Sequence, residues 1–244
     1  GAAWAENSRR IVTTETRYWI DATGQAPIDE IARLPAAALQ PMNQARSFEI
    51  GRAALWLRFE QPSLDALRSW FLVLEGSAFT NRATLYQEGA GGQWVAQEAG
   101  DHLPVAAWSQ PDRMPVFTLD GRAGSVVWLR MENYPAPLSP SLRLMDARDL
   151  KASQNLSLVL LGGYLGFGLL VLFLGWVHVR LYGDRVFIAY VTYVACMLIF
   201  QVSFTGLGGL LFWPDMPRWN DVAPALFVFW LTAAGIWFVR EVSA

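Results

Sequence analysis

Apolar and polar positions alternate along residues 17–144 and then give way to long uncharged runs. Alternation with period two marks a strand that buries one face. It marks Arg17–Asp21, Arg46–Ile50, Ala54–Glu60, Trp70–Glu75, Ala83–Gln87, Gln93–Gln97, Pro115–Leu119, Val126–Asn133 and Ser141–Leu144. Turn residues separate these segments: Gly89, Gly91-Gly92, Asp120-Gly121 and Pro135-x-Pro137. Ile28–Leu39 reads as one short helix with Asp29 and Glu30 in its first turn. Short strands at this density predict an all-β, jelly-roll-like antiparallel sandwich.

Three runs lack Asp, Glu, Lys and Arg altogether: Ala152–Val177 (26 residues), Val186–Pro214 (29) and Val222–Val239 (18). A helix crosses the hydrocarbon core with about 20 apolar residues. We therefore expect transmembrane α-helices at about 156–178, 186–206 and 222–240. The second run exceeds one span. Gly206-Leu207-Gly208-Gly209 is expected to break it before an interfacial segment ending in Trp213-Pro214. The chain thus reads as an outer β domain, 1–150, followed by part of a helical membrane domain, 151–244.

Composition supports this division. The 244 residues are 53% hydrophobic and only 16% charged, against about 25% charged in a typical soluble domain. Residues 1–155 hold 15 of the 19 basic and 17 of the 21 acidic groups. A soluble globule built from the remaining 89 residues would be too small to bury so much apolar surface. A net charge of -2 supplies no basic stripe for phosphates, so nucleic acid is not an expected partner. The lone Cys196 sits in an apolar run and reads as a packing residue. His102 and His178 lie far apart in sequence, so no metal ligand set forms and no cofactor is expected. Gly1–Ala5 lacks the charged and apolar regions of a signal peptide, and its Ala-rich composition fits a trimmed end.

Charge in the connectors sets the orientation. Arg180 and Arg185 flank the first connector, and Arg240 follows the third span. The positive-inside rule places both in the cytoplasm and residues 1–150 outside. Trp213 and Trp219 suit the outer headgroup belt, and Trp176 the inner one. The uncharged runs hold no Asp, Glu, Lys or Arg, which argues against a proton pump, ion channel or charged-substrate transporter, since these need such groups at membrane depth. Gly162-x-x-x-Gly166 lets helices approach closely. It reads first as contact within the chain and second as a dimer face.

Two strands share a pattern. In Leu55-Trp56-Leu57-Arg58-Phe59 and Val127-Trp128-Leu129-Arg130-Met131, the aliphatic and Phe or Met positions share a core face. Trp56, Arg58 and Glu60 point the other way, as do Trp128, Arg130 and Glu132. Such a face can stack on a sugar ring and bond its hydroxyls or carboxylate. The competing reading makes the Arg and Glu side chains cross-strand ladders and packs the Trp rings under loops. The ligand-face candidates are Trp56, Arg58, Trp128, Arg130 and Glu132. No nucleophile–base set or phosphate-cradling loop reads from the chain, and no enzymatic activity is expected in it.

The residues quoted so far also resemble a family: the bacterial seven-transmembrane receptors with diverse intracellular signalling modules. Tyr18-Trp19-Ile20-Asp21, Leu55-Trp56-Leu57-Arg58-Phe59, Ala83-Thr84-Leu85-Tyr86 and Trp128-Leu129-Arg130-Met131-Glu132 resemble the second type of extracytoplasmic sensor domain in that family. Gly163-Tyr164-x-Gly166, Asp184-Arg185 leading to Tyr190 and Tyr193, and Gly206-Leu207-Gly208 leading to Leu211-Phe212-Trp213-Pro214 resemble the start of its membrane domain. The resemblance implies a jelly-roll sensor related in fold to carbohydrate-binding modules. It also implies an inner-membrane location and a cytoplasmic output, often a diguanylate cyclase or a histidine kinase. The sequence departs in carrying three spans rather than seven and no output module. The family's frequent Asn late in the first span is replaced by Trp176 or Val177.

The expected function is that of a sensory receptor portion. The expected partners are membrane lipid, a carbohydrate or glycan ligand, a periplasmic protein, and a second copy of the chain in a homodimer. A rival reading makes the sandwich a protein-interaction module anchored by Trp70, Trp94 and Trp108. Another makes it a membrane assembly subunit without sensing.

Overall fold

The computed structural model describes residues 16–42, 47–62, 68–75, 80–89 and 91–243. Two compact units divide between Lys151 and Ala152. The Gly1–Ala5 start discussed above lies outside the described residues.

The first unit is an antiparallel β-sandwich. Its strands are β1 (Arg17–Asp21), β2 (Gln40–Pro41), β3 (Ala54–Glu60), β4 (Trp70–Glu75), β5 (Arg82–Glu88), β6 (Trp94–Ala99), β7 (Val116–Leu119), β8 (Val126–Glu132) and β9 (Ser141–Asp146). Six form one sheet in the order β2-β1-β3-β8-β5-β6, and three form a second in the order β7-β4-β9. The period-two pattern decides which face each strand buries. Leu57, Leu129 and Leu85 lie opposite one another across β3, β8 and β5. Leu72 lies between Phe117 and Leu144 in the small sheet. All six are buried, with no more than 1% of their surface exposed. One edge is closed by side chains: Gln87 and Gln97 each donate from Nε2 to Thr118 O, at 2.8 and 2.7 Å. Gln97 Oε1 accepts from Thr118 N at 2.9 Å. Two amides thereby satisfy backbone groups of β7 that have no neighbouring strand.

Two expected elements are shorter than the pattern implied. Of the strand expected over Arg46–Ile50, Arg46 lies outside the described residues, and Phe48 alone pairs, with Leu138. A turn through Gly51 (φ +58°), with Ala53 N donating to Ile50 O, ends the extended run. The helix expected over Ile28–Leu39 is a single turn, α1 (Ile28–Ile31), followed by a 3₁₀ turn at Ala36–Ala38. Pro35 stands between them and lacks the N–H a continuing helix needs.

The second unit is helical. The chain passes from β9 into α2 (Ala147–Tyr182) with no intervening residue, then forms α3 (Arg185–Phe204) and α4 (Pro217–Ser243). At 36, 20 and 27 residues, all three are long and apolar enough to cross a membrane. Asp184 caps α3 by accepting from Val186 N at 2.9 Å. The chain breaks at Gly206 (φ +76°), makes one wide turn over Gly208–Phe212, and reaches Trp213. A Cβ on Gly208 would collide with the Trp213 ring, and one on Gly209 would lie 2.6 Å from Asn220 Oδ1. Trp213 Nε1 donates to the same Asn220 oxygen at 3.2 Å. The glycines here let the chain fold back closely against an indole. Close approach of α2 to α3 occurs at Gly168, beneath Leu198, and at Gly175, whose Cβ would lie 2.8 Å from Val191 Cγ2. Gly162 and Gly166, expected to make such a contact, face nothing within 4 Å among the described residues.

Gly100 ends β6 at φ +132°, where an added Cβ would lie 2.8 Å from both Arg82 Cα and Thr80 O. Gly100→Ala should therefore destabilise the sandwich by on the order of 1–3 kcal/mol through backbone strain, with steric conflict added. Chemical denaturation followed by tryptophan fluorescence checks this. An unchanged midpoint would contradict the packing at β6.

Candidate functional site

The outer face of the six-stranded sheet alternates as expected, but it is not open. Trp19, Trp56, Arg130 and Thr84 form one cross-strand row, and Arg17, Arg58, Trp128 and Tyr86 form the next. The segment from Thr23 to Leu39 roofs much of this face. Ile31 and Leu39 pack with Ala54, Trp56 and Trp128 in a second, smaller core, with Trp19, Ile28, Leu34, Tyr86 and Trp94 around it. Trp56 stacks on Tyr86 at 5.6 Å and meets Trp128 edge-on at 6.3 Å. Their exposures are 0% and 2%. The expectation of an exposed Trp56 and Trp128 platform is corrected here. Burying each aromatic side chain contributes about 1.5–3 kcal/mol, and the roof supplies the apolar surface that makes this burial possible.

Polar groups hold the roof down. Asp21 accepts at Oδ1 from Thr23 N (2.9 Å) and Thr23 Oγ1 (2.6 Å), and at Oδ2 from Ala26 N (2.8 Å). Burial pushes its carboxyl up. The hydrogen bonds from the Thr23 side chain and from the N–H groups of Ala26, Thr23 and Gly24 outweigh that and hold it below its ordinary value. Arg130 donates to Gly24 O at 2.6 Å, pairs with Glu132, and lies 5.9 Å above the Trp56 ring. Arg130 and Glu132, expected on a ligand face, are thus engaged with the roof and its aromatic base. Arg58 pairs with Glu60 at 3.3 Å along its own strand.

Where the roof passes β1 and β3 it leaves a cavity of about 550 Å³. Ala32, Leu34, Ala36, Leu39 and the edge of Trp128 form its apolar side, and Arg17, Arg58 and Glu60 its polar side. Arg17 stands directly opposite Arg58 in the β1–β3 register. Its NH1 donates to Ala36 O at 3.0 Å, fixing the guanidinium at the cavity wall. Arg17 belongs to the same alternation that singled out Arg58. It was missed because its strand lacks the repeated Trp-Leu-Arg pattern.

The last strand of the small sheet leads directly into the first turn of α2. Asp146 ends β9 and caps α2. Its Oδ1 accepts from Asp149 N at 2.8 Å, and its Oδ2 from Arg68 NH1 at 2.7 Å. Ala147 N donates to Ser69 O. Leu150, in the first turn of α2, packs with Val73, Val116 and Met145 on the outer face of the small sheet. The Asp149 N–H holds the Asp146 carboxyl below its ordinary value. Burial opposes this, and Arg68 reinforces it.

The three Trp residues offered as protein-binding anchors do not form an exposed group. Trp108 is buried at 5% exposure, Trp70 is half-buried, and Trp94 packs beside the Trp56 cluster. The expected anchor role of Trp108 is corrected by its burial.

Residues 13–146 match the family model described as 7TMR-DISM extracellular 2, and residues 156–243 match that described as 7TM diverse intracellular signalling. No curated protein matches the chain.

Asp146 bears on stability with a defined sign. A carboxyl held below its unfolded-state value stabilises the fold above that value, about 3.9. The contribution is lost as pH falls through the lower folded value. Asp146→Asn keeps a capping side chain but removes the titration, so stability should fall less steeply on acidification below about pH 4 than in the parent. Asp146→Ala removes the cap and should cost roughly 0.5–2 kcal/mol at neutral pH. Denaturation midpoints across pH check both. An unaltered acid dependence in Asp146→Asn would refute the assignment.

Proposed function

Because the chain belongs to the family of seven-transmembrane receptors with diverse intracellular signalling modules, we propose that its β-sandwich senses a small ligand outside the inner membrane and passes the signal inward through α2. The coarse identity, a membrane receptor with an extracellular sensor domain followed by membrane helices, is given by that membership. The ligand, the direction of signalling and the output are our reading. A saccharide is the ligand class favoured by the family's likeness to carbohydrate-binding modules. The output is a cytoplasmic diguanylate cyclase or histidine kinase.

One observation carries the proposal: β9 becomes α2 without a linker, and Leu150 docks on the small sheet. A ligand acts only by favouring one of two arrangements of the protein. A rearrangement of the small sheet would displace the start of α2, because Asp146 ends β9 and caps the helix. The roofed cavity on the large sheet is the place where a ligand would exert such a bias. Arg58 remains a ligand candidate there, whereas Trp128 offers only an edge.

The charge of the connectors supports a bacterial inner-membrane orientation with the sandwich in the periplasm and the C-terminus in the cytoplasm. Arg180 and Arg185 flank Gly183-Asp184 between α2 and α3, and Arg240 lies in the last turn of α4. In a Cys196→Ser background, Asp215→Cys should react with a membrane-impermeant maleimide supplied from the periplasmic side, and Tyr182→Cys should not. The reverse pattern would overturn the orientation and the sensing direction with it.

A further inference from the structure

The Arg17–Arg58 juxtaposition brings two positive charges to the cavity wall and, among the described residues, only one carboxylate, Glu60, to offset them. Arg17 and Arg58 are register partners across β1 and β3, and like charges in such a pair are unfavourable. Arg58 is offset by Glu60, whose side chain is 60% exposed. Arg17 bonds a backbone carbonyl, and among the described residues no carboxylate pairs with it. Both line a cavity of about 550 Å³, within the range of small-molecule sites and ample for a disaccharide. We propose that this cavity takes an acidic saccharide whose carboxylate lies between Arg17 and Arg58.

The chemistry of the walls supports that choice. A planar carboxylate accepts two parallel bonds from a guanidinium fork, and a second guanidinium supplies further donors. A carboxylate placed between the two arginines would offset their like charge, so the juxtaposition favours an anion. Glu60 is an acceptor for sugar hydroxyls on the same side. Leu34, Ala36 and Leu39 give the apolar wall against which the C–H face of a sugar ring rests. Because Arg17 holds Ala36 O and Ala36 belongs to the roof, a carboxylate drawn to Arg17 would also act on the roof segment. This inference rests on the ligand-sensing reading above and adds the charge of the ligand and its place.

The test uses the whole chain in lipid nanodiscs, with digalacturonate as probe and neutral galactobiose as its counterpart, read by calorimetry. Digalacturonate should bind and galactobiose should bind at least tenfold more weakly. Arg17→Gln and Arg58→Gln should each weaken digalacturonate roughly tenfold or more, while Arg122→Gln, outside the cavity, should leave it unchanged. Thermal unfolding of each variant separates lost binding from lost fold. Should one arginine variant fail to fold, the other, together with the salt dependence of parental binding, still decides. Equal binding of both disaccharides would overturn the anion site while leaving the sensor reading intact. Digalacturonate binding unaffected by either arginine would overturn the location. Hexanoate binding as tightly as digalacturonate would overturn the saccharide class. Absence of digalacturonate binding to the folded parent would overturn the inference altogether.

Discussion

Between β9 and α2 no residue is left to act as a linker, because a single carboxylate serves both elements. Asp146 finishes the small sheet, bonds the N–H of Asp149 to start the helix, and receives Arg68. Helix starts leave orphan N–H groups that need partners, and here the partner comes from the sheet itself. Leu150 extends the same attachment into apolar packing on Val73, Val116 and Met145. The signalling proposed above depends on this constraint, since a flexible tether at that point would let the sandwich change without the helix responding.

The two sheets have divided their tasks. The small sheet uses its outer face to hold the first turn of α2, while the large sheet uses its own to support a roof and a cavity. The roof changes the role of the aromatic residues. An exposed row of tryptophans would be a ready stacking surface. Under Ile31 and Leu39 the same residues form a base that sets the position of the roof, with Arg130 bridging from the sheet to Gly24. What stays accessible is the charged margin of the face at Arg17, Arg58 and Glu60. In the reading proposed above, recognition there would depend on charge and shape rather than on aromatic stacking.

Most of the architecture was legible in the sequence. Strand boundaries from Ala54–Glu60 and Trp70–Glu75 coincide with the observed strands, because period-two alternation and turn residues both act locally. The three membrane helices were equally plain from uncharged runs. The break at Gly206 was legible too, though the reason, packing of the chain against Trp213, was not. The site was harder to read. Alternation assigned Trp56 and Trp128 to the correct face, but whether a face meets water depends on what lies over it. The apolar residues Ile28, Ile31, Leu34 and Leu39 were the available signal for a cover, but they read as one helix with no place assigned to it. The juxtaposition of Arg17 and Arg58 depends on the β1–β3 register, which no single strand reveals.

Hydrogen exchange of the backbone amides of residues 147–151, measured on the chain in a lipid bilayer, tests the continuity of sensor and helix most directly. Local stability reads out in exchange protection. If sandwich and helix are one continuous element, the amides that are hydrogen-bonded in the first turns of α2 will be protected to the same degree as those of β9. Exchange at the rate of an unstructured peptide across 147–151, with β9 still protected, would mean a loose tether and would contradict the account.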